Sequence, residues 1–147
     1  MNSWLILGWI ATALPLTATA AVTPLSCLDI NRAVGVAMTD AMIRDLQIDQ
    51  RQLVLNQTHL TLLDVQPVTA EMALYYAHQD IKELDVDSQK LSGYQEIYTF
   101  PGTQNLIVSY DYQNKAGKHN KFIASMLIND EECSVRFNGY IIVKREF

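Results

Sequence analysis

The chain has 147 residues, of which 49% are hydrophobic and 18% are charged. This balance excludes a disordered tail, and a total of only six glycines excludes a collagen-like or linker-like chain. Eleven Lys and Arg against sixteen Asp and Glu give a net charge of −5. That charge argues against a general nucleic-acid binder, because neutralising phosphates requires clustered basic side chains.

The N-terminal segment has the layout of an export signal. Residues 4–16 form an apolar run, and no charged side chain occurs before Asp29. The spacing Ala18-x-Ala20 supplies the small side chains that a signal peptidase requires. The pattern therefore predicts a signal peptide over residues 1–20.

The mature chain, residues 21–147, is predicted to be a single domain located in the periplasm or outside the cell, with no membrane span. A retained membrane anchor is the alternative, because the charge-free stretch from 1 to 28 could cross a bilayer. Against the anchor, the second half of that stretch is mostly Ala and Thr, and its strongly apolar part is short.

Export would also determine whether the two cysteines are oxidised to a disulfide bond. Cys27 and Cys133 are the only ones in the chain, and an oxidising compartment favours a disulfide bond between them. The bond would join the start of the fold to its last strand. Because the chain has no CxxC motif and no His at zinc-ligand spacing from either cysteine, we expect no metal site and no cofactor.

The first half of the mature chain predicts two helices and a strand. Ser26 and Asp29 form a shortened capping-box pattern that opens a helix of about 20 residues. Residues 57–66 alternate as a strand does, and Pro67 ends that strand. Apolar positions at three- and four-residue spacing predict a second helix over Thr69–Leu84.

From residue 93 onward the apolar period changes to two, which predicts four strands joined by short turns. These strands are Tyr94–Phe100, Asn105–Gln113, Lys121–Asn129 and Cys133–Val143, the last with a bulge at Gly139. We therefore expect an α+β fold, with an N-terminal helix, a strand, a second helix, and then a four-stranded antiparallel meander packed on the helices.

Residue types that could carry catalysis do not occur in catalytic patterns. The three histidines belong to no HExxH or His-x-His motif, and the chain has no GxSxG, P-loop or GxGxxG motif. The carboxylates are concentrated in charge runs, whereas a glycosidase needs two isolated carboxylates in a cleft. We therefore expect no catalytic residue and no enzymatic activity.

Two acidic runs and one sheet face are candidates for binding a partner. The runs could steer a basic protein towards the domain, although solvation alone also accounts for them. The sheet face opposite the aromatic residues stays half apolar, which suggests contact with a partner or a second copy, although scattered surface apolar residues are common. The candidate binding residues are Asp80, Glu83, Asp85, Asp87, Asp130, Glu131, Glu132, Ile107, Ile123 and Leu127.

Two known families share parts of this layout. A long helix beside an antiparallel meander is similar to the cystatins, but their inhibitory Gln-x-Val-x-Gly loop is absent here. A first helix led by Cys27, with Cys133 in a late strand, looks similar to the architecture of the colicin M immunity family. That similarity covers no diagnostic motif and carries over no residue.

These observations favour an exported, non-catalytic domain that binds another protein, such as an inhibitor, an immunity-type protein or an envelope accessory protein. The alternative is a carrier of a small ligand. Its pocket would lie between the helix Thr69–Leu84 and the aromatic sheet face, lined by Tyr76, Tyr94, Tyr98 and Tyr110.

Overall fold

The computed structural model describes residues 22–147, so the predicted signal peptide lies outside the described residues. The helices and strands succeed one another along the chain with only short 3₁₀ turns between some of them. They are α1 (Ala33–Leu46), β1 (His59–Pro67), α2 (Ala70–Glu83), α3 (Leu91–Tyr98), β2 (Gln104–Gln113), β3 (His119–Ile128) and β4 (Arg136–Lys144).

The four strands form one antiparallel sheet in the order β1-β2-β3-β4. Helix α1 packs on one face of the sheet, and the α2–α3 pair packs on part of the other. The predicted α+β class, with a four-stranded antiparallel sheet packed against helices, is confirmed. Strands β1 and β4 form the two edges of this sheet.

The prediction of a strand over Tyr94–Phe100 is wrong, because Leu91–Tyr98 is helix α3. Leu91, Tyr94 and Tyr98 recur at intervals of three and four residues and pack together on the α2 side of the sheet. In so short a segment, Tyr94, Tyr98 and Phe100 also fit a period of two. The fourth strand of the sheet is instead β1, which the α2–α3 pair separates from β2 along the chain.

The start of α1 also differs from the prediction. Ser26 does not cap this helix, because it exchanges hydrogen bonds with Thr23 across the turn that contains Cys27. Helix α1 begins at Ala33, where the chain folds back closely on itself. A Cβ atom at Gly35 would lie 2.3 Å from the Cα of Ile30, so only glycine fits at this position.

The aromatic face of the sheet is attached to α1 by two buried tyrosines. Tyr110 and Tyr112 stack with ring centroids 6.1 Å apart. The Tyr110 hydroxyl donates a hydrogen bond of 3.0 Å to the carbonyl of Val34. The Tyr112 hydroxyl lies 2.9 Å from the Thr39 hydroxyl, which itself donates to the carbonyl of Gly35. Both rings therefore fix α1 in place as well as filling the core.

This pair predicts alkaline sensitivity. Burial raises the pKa of both Tyr110 and Tyr112, so the folded state holds their protons more tightly than the unfolded state. Stability should be complete below pH ~10, the unfolded value for tyrosine, and fall above it by about 1.4 kcal/mol per pH unit for each tyrosine. Tyr110→Phe should make that fall shallower by about 1.4 kcal/mol per unit, measured as urea unfolding against pH.

Tyr75→Phe is the matched control for this measurement, because Tyr75 is exposed on α2. Its alkaline slope should equal that of the unsubstituted protein. An unchanged slope in Tyr110→Phe would contradict the assignment of alkaline sensitivity to this buried pair.

The two ends of the described chain are both attached to the fold. Cys27 and Cys133 form a disulfide bond with Cα atoms 5.6 Å apart, which confirms the predicted pairing. The fully buried Asn120 holds the other end: its Oδ1 accepts hydrogen bonds from the backbone N–H groups of Glu146 and Phe147, and its Nδ2 donates to the Phe147 carbonyl. One buried amide thus satisfies three backbone groups of the C-terminal segment.

Candidate functional site

The sheet face opposite α1 is only partly covered. Helices α2 and α3 pack over the end where β3 finishes and β4 begins, around Ala73, Ala77, Tyr98 and Leu127. Leu127 is fully buried in this cluster. It therefore holds the helix pair to the sheet and is not available to a partner, contrary to the prediction from its position on the outward face.

A buried ion pair lies at the edge of this covered area. Arg136 at the start of β4 pairs with Asp80 of α2, and the two side chains are 15% and 13% exposed. The Tyr98 hydroxyl donates to the same carboxylate and accepts from Nη1 of Arg136 at 3.3 Å. The guanidinium also lies 5.4 Å from the ring centroid of Tyr76. Asp80 was predicted as a partner-binding residue, but it is engaged within the fold.

The electrostatics of this cluster result from its burial. Burial lowers the pKa of the Arg136 guanidinium and raises that of the Tyr76 and Tyr98 hydroxyls, so both tyrosines stay protonated and Tyr98 can donate to Asp80. The nearby carboxylate of Glu83 raises the pKa of Tyr98 further. The arrangement is that of a structural clamp between α2 and β4, because Nη1 of the guanidinium, the carboxylate and the Tyr98 hydroxyl contact one another, while the buried Nε of Arg136 has no hydrogen-bond partner among the described residues.

A row of polar side chains leads from the clamp onto the open part of the face. Asn138 on β4 donates to the Ser125 hydroxyl at 2.9 Å and to the Tyr76 hydroxyl at 3.3 Å. Ser125 in turn donates to the Oδ1 atom of Asn105 at 2.7 Å. These bonds hold the polar groups of the three strands in fixed positions beside a set of apolar residues.

The uncovered part of the face contains a shallow apolar groove. Its volume is about 350 Å³, and Ile107, Ile123 and Ile141 form its apolar walls beside Ser125 and Asn138. Ile123 and Ile141 are direct neighbours across β3 and β4. The structure thus brings together two of the predicted binding residues, Ile107 and Ile123, and adds Ile141, whose side chain is 62% exposed.

Strand β4 offers a second feature that sequence reasoning missed. Three consecutive apolar residues on this edge strand, Ile141, Ile142 and Val143, are 62%, 48% and 51% exposed. Such a run is unusual on a protein surface unless it has a function. In the sequence, the alternation of apolar and polar residues breaks at these three β-branched residues. A strand that is buried on both faces would show the same pattern, so the sequence alone does not identify an exposed edge.

The C-terminal ends of α1 and α2 lie beside β4. Arg44 and Asp45 of α1 and Glu83 of α2 line a cleft of about 570 Å³ along the strand, together with Arg136 and Tyr140. The Tyr140 hydroxyl donates to the Asp45 carboxylate at 3.3 Å. Both sides of β4 are therefore bordered by charged groups, and within residues 22–147 no strand pairs with its outer edge.

The predicted acidic residues occupy two segments that both border the start of β4. Glu83, Asp85 and Asp87 are exposed at the end of α2 and in the loop after it. The remaining three are exposed in the turn between β3 and β4 and are Asp130, Glu131 and Glu132. The Asn129 side chain shapes this turn by accepting hydrogen bonds from the backbone N–H groups of Glu131 and Glu132.

The four tyrosines predicted to line a carrier pocket do not come together. Tyr110 is fully buried against α1, whereas Tyr76, Tyr94 and Tyr98 pack around α2 and α3 on the opposite face of the sheet. The reason is that α2 packs on the sheet face that contains Leu127, whereas α1 and the turns on either side of it cover the aromatic face. The two groups of rings are thus separated by the sheet itself.

Within residues 22–147, no three side chains among His, Cys, Asp and Glu are grouped as metal ligands would be. The nearest approach to a catalytic pair is His119, whose Nδ1 lies 2.8 Å from the Asp111 carboxylate on the exposed end of β2 and β3. In the same part of the chain, no helix is long and apolar enough to cross a membrane.

No family model matches the chain, and neither a curated protein nor a solved structure matches it. The layout shared with cystatins and colicin M immunity proteins thus gains no support from comparison. The open groove and the β4 edge are the features from which a function can be inferred.

Proposed function

We propose that this chain is an exported, non-catalytic domain that binds another protein through the open groove of its sheet. Residues 1–20 would be its signal peptide, and the bound protein would be one that the domain inhibits, neutralises or assists in the cell envelope. The observation that carries the proposal is the uncovered groove of Ile107, Ile123 and Ile141 beside the part of the face that α2 and α3 cover.

The groove has the composition of a protein contact. Three isoleucines form its apolar surface, and the fixed polar groups of Ser125 and Asn138 line it beside them. An antiparallel sheet face that stays half apolar gains stability when it is covered. A centre of apolar side chains with a polar rim is the usual anatomy of a protein–protein interface.

The charge distribution favours a basic partner. Glu83 lines the cleft that shares Asn138, Gly139 and Tyr140 with the groove, and Asp85 is exposed two residues further along the chain. Carboxylates beside a binding surface raise the rate at which a basic protein arrives, with a smaller effect on how slowly it leaves.

Export is supported by the disulfide bond. Cys27 is fully buried and is joined to Cys133, a state that oxidising compartments maintain and that the cytosol generally does not. The domain would therefore act outside the reducing environment of the cytosol.

The test is capture of the partner from the envelope or secretion fraction of the source cells. Ile123→Lys should abolish capture, because the substitution places a buried charge in the groove and repels a basic partner. Val36→Lys is the matched control, since Val36 is an exposed apolar residue on α1, which covers the opposite face.

The rate of association with the captured protein tests the acidic residues. The Glu83→Gln/Asp85→Asn variant of this domain should associate with it several-fold more slowly at low salt. The Asp40→Asn/Glu96→Gln variant should associate at the unchanged rate.

Circular dichroism would show that each variant is folded, and Ile107→Ser provides a milder change in the same groove. Capture that survives both groove substitutions would contradict the proposal. Recovery of a small molecule in place of a protein would favour the carrier function instead.

A further inference from the structure

The β4 edge carries a second interaction surface, which adjoins the groove at Ile141. An edge strand presents unpaired backbone N–H and C=O groups, and natural proteins usually protect such edges with charges, bulges or covering loops. Here the register with β3 shifts on either side of Gly139–Ile142, and within that stretch the pairing is regular. The exposed side chains of Ile141, Ile142 and Val143 lie in or directly beside this regular stretch.

Charge is distributed unequally along β4. The start of the strand is bordered by acidic groups, from Glu83 in the cleft and from the turn 130–132. The other end is basic: Lys144 ends the strand, Arg145 follows it, and Lys121 lies directly opposite Lys144 on β3. Glu146 pairs with Lys144 at 2.8 Å and cancels one of these positive charges. Lys121 and Arg145 keep this end of the strand basic.

The facing lysines are an additional indication that something acidic approaches this end. Like charges directly opposite one another on neighbouring strands destabilise a sheet. Asp111 on β2 lies directly opposite Lys121 on its other side, but that carboxylate contacts His119, and among the described residues Lys121 has no ion-pair partner within 4.0 Å. An acidic group from another molecule would remove this repulsion.

We propose that the β4 edge binds the β4 edge of a second copy of this chain, antiparallel and around a two-fold axis. In that arrangement the acidic start of each strand meets the basic end of the other, so the surface is complementary to itself, as a two-fold interface requires. The exposed apolar residues of both strands lie at the centre. The two four-stranded sheets become one continuous sheet, and the two open grooves adjoin on the same face.

This dimer does not depend on the identity of the protein that the groove binds. The groove is a property of the sheet face and the dimer contact is a property of the strand edge, so each can be disrupted without the other. Ile123 belongs to the first and Ile142 to the second.

Sedimentation velocity of the exported protein over a range of concentrations tests the proposal. We expect a reversible monomer–dimer equilibrium that weakens at high salt, because the end-to-end charge contacts are exposed and screened. Ile142→Lys should raise the dissociation constant at least about tenfold, since two lysines would then face each other near the two-fold axis. Leu63→Lys is the matched control, because Leu63 is 50% exposed on the opposite edge strand β1.

Two further measurements decide the outcome. Amide hydrogen exchange within 139–143 should slow as the protein concentration rises, and exchange in β1 should not change. Lys144→Glu should weaken association at low salt, whereas Lys90→Glu, in the exposed turn before α3, should not. A protein that stays monomeric at every concentration would overturn the proposal, as would a dimer that neither Ile142→Lys nor Lys144→Glu weakens. Either result leaves the capture prediction for Ile123→Lys standing.

Discussion

Replacing both Cys27 and Cys133 with alanine is expected to lower the free energy of unfolding by about 4–5 kcal/mol. The bond closes a loop whose ends are 106 residues apart in sequence, and loops of this length give the largest entropic stabilisation. A domain of this size has a total stability of roughly 5–15 kcal/mol, so the loss would remove a large share of it. The measurement is urea unfolding of the oxidised protein and of the variant.

Treatment with a reductant provides the control for this prediction. Reduction should lower the unfolding midpoint of the unsubstituted protein and leave the double alanine variant unchanged. If the oxidised protein and the variant unfold at the same urea concentration, the disulfide does not stabilise this fold.

Removing the buried guanidinium is expected to have an effect of similar size. Arg136→Met leaves the Asp80 carboxylate buried without its partner, which should lower the free energy of unfolding by about 3–5 kcal/mol. Because Asp80 belongs to α2, the loss should first loosen the α2–α3 pair from the sheet. Chemical denaturation gives the stability, and amide exchange in α2 and α3 gives the location.

A matched surface pair separates burial from charge. Arg51 and Asp49 lie 2.8 Å apart, but the Arg51 side chain is 88% exposed. Arg51→Met should therefore change the stability far less than Arg136→Met does. The Arg136→Met/Asp80→Leu variant should be more stable than Arg136→Met alone, since it no longer buries an unpaired charge. Equal effects of Arg136→Met and Arg51→Met would contradict the clamp.

Much of the fold was predictable because its core elements have a clear apolar period. Strands β2 and β3 alternate over ten residues each, and the faces they present were predicted correctly, including the aromatic face that packs on a helix. Helix α3 was not predictable in this way. Its eight residues are too few to separate a period of two from one of 3.6, and the packing of Tyr94 and Tyr98 against α2 decides the conformation.

The binding surface was predictable only in part, and for a different reason. Alternation places Ile107, Ile123 and Leu127 on one face of the sheet, but it does not show how far a helix extends over that face. Leu127 lies under α2 and α3, whereas Ile107 and Ile123 border the open groove. Asp80 illustrates the same limit. Its position in an acidic run suggested solvent, and only the tertiary structure places it against Arg136.

The disulfide bond has a mechanical consequence for a protein held at both ends. A pulling force applied near residue 22 and at Phe147 would pass through the Cys27–Cys133 bond directly into β4, and would bypass the chain between the two cysteines. The strand would then be stretched from its start at Arg136 towards the C-terminal segment that Asn120 holds. Strand β4 and its hydrogen bonds to β3 would carry the tension, while α1, α2 and the rest of the sheet would remain unloaded.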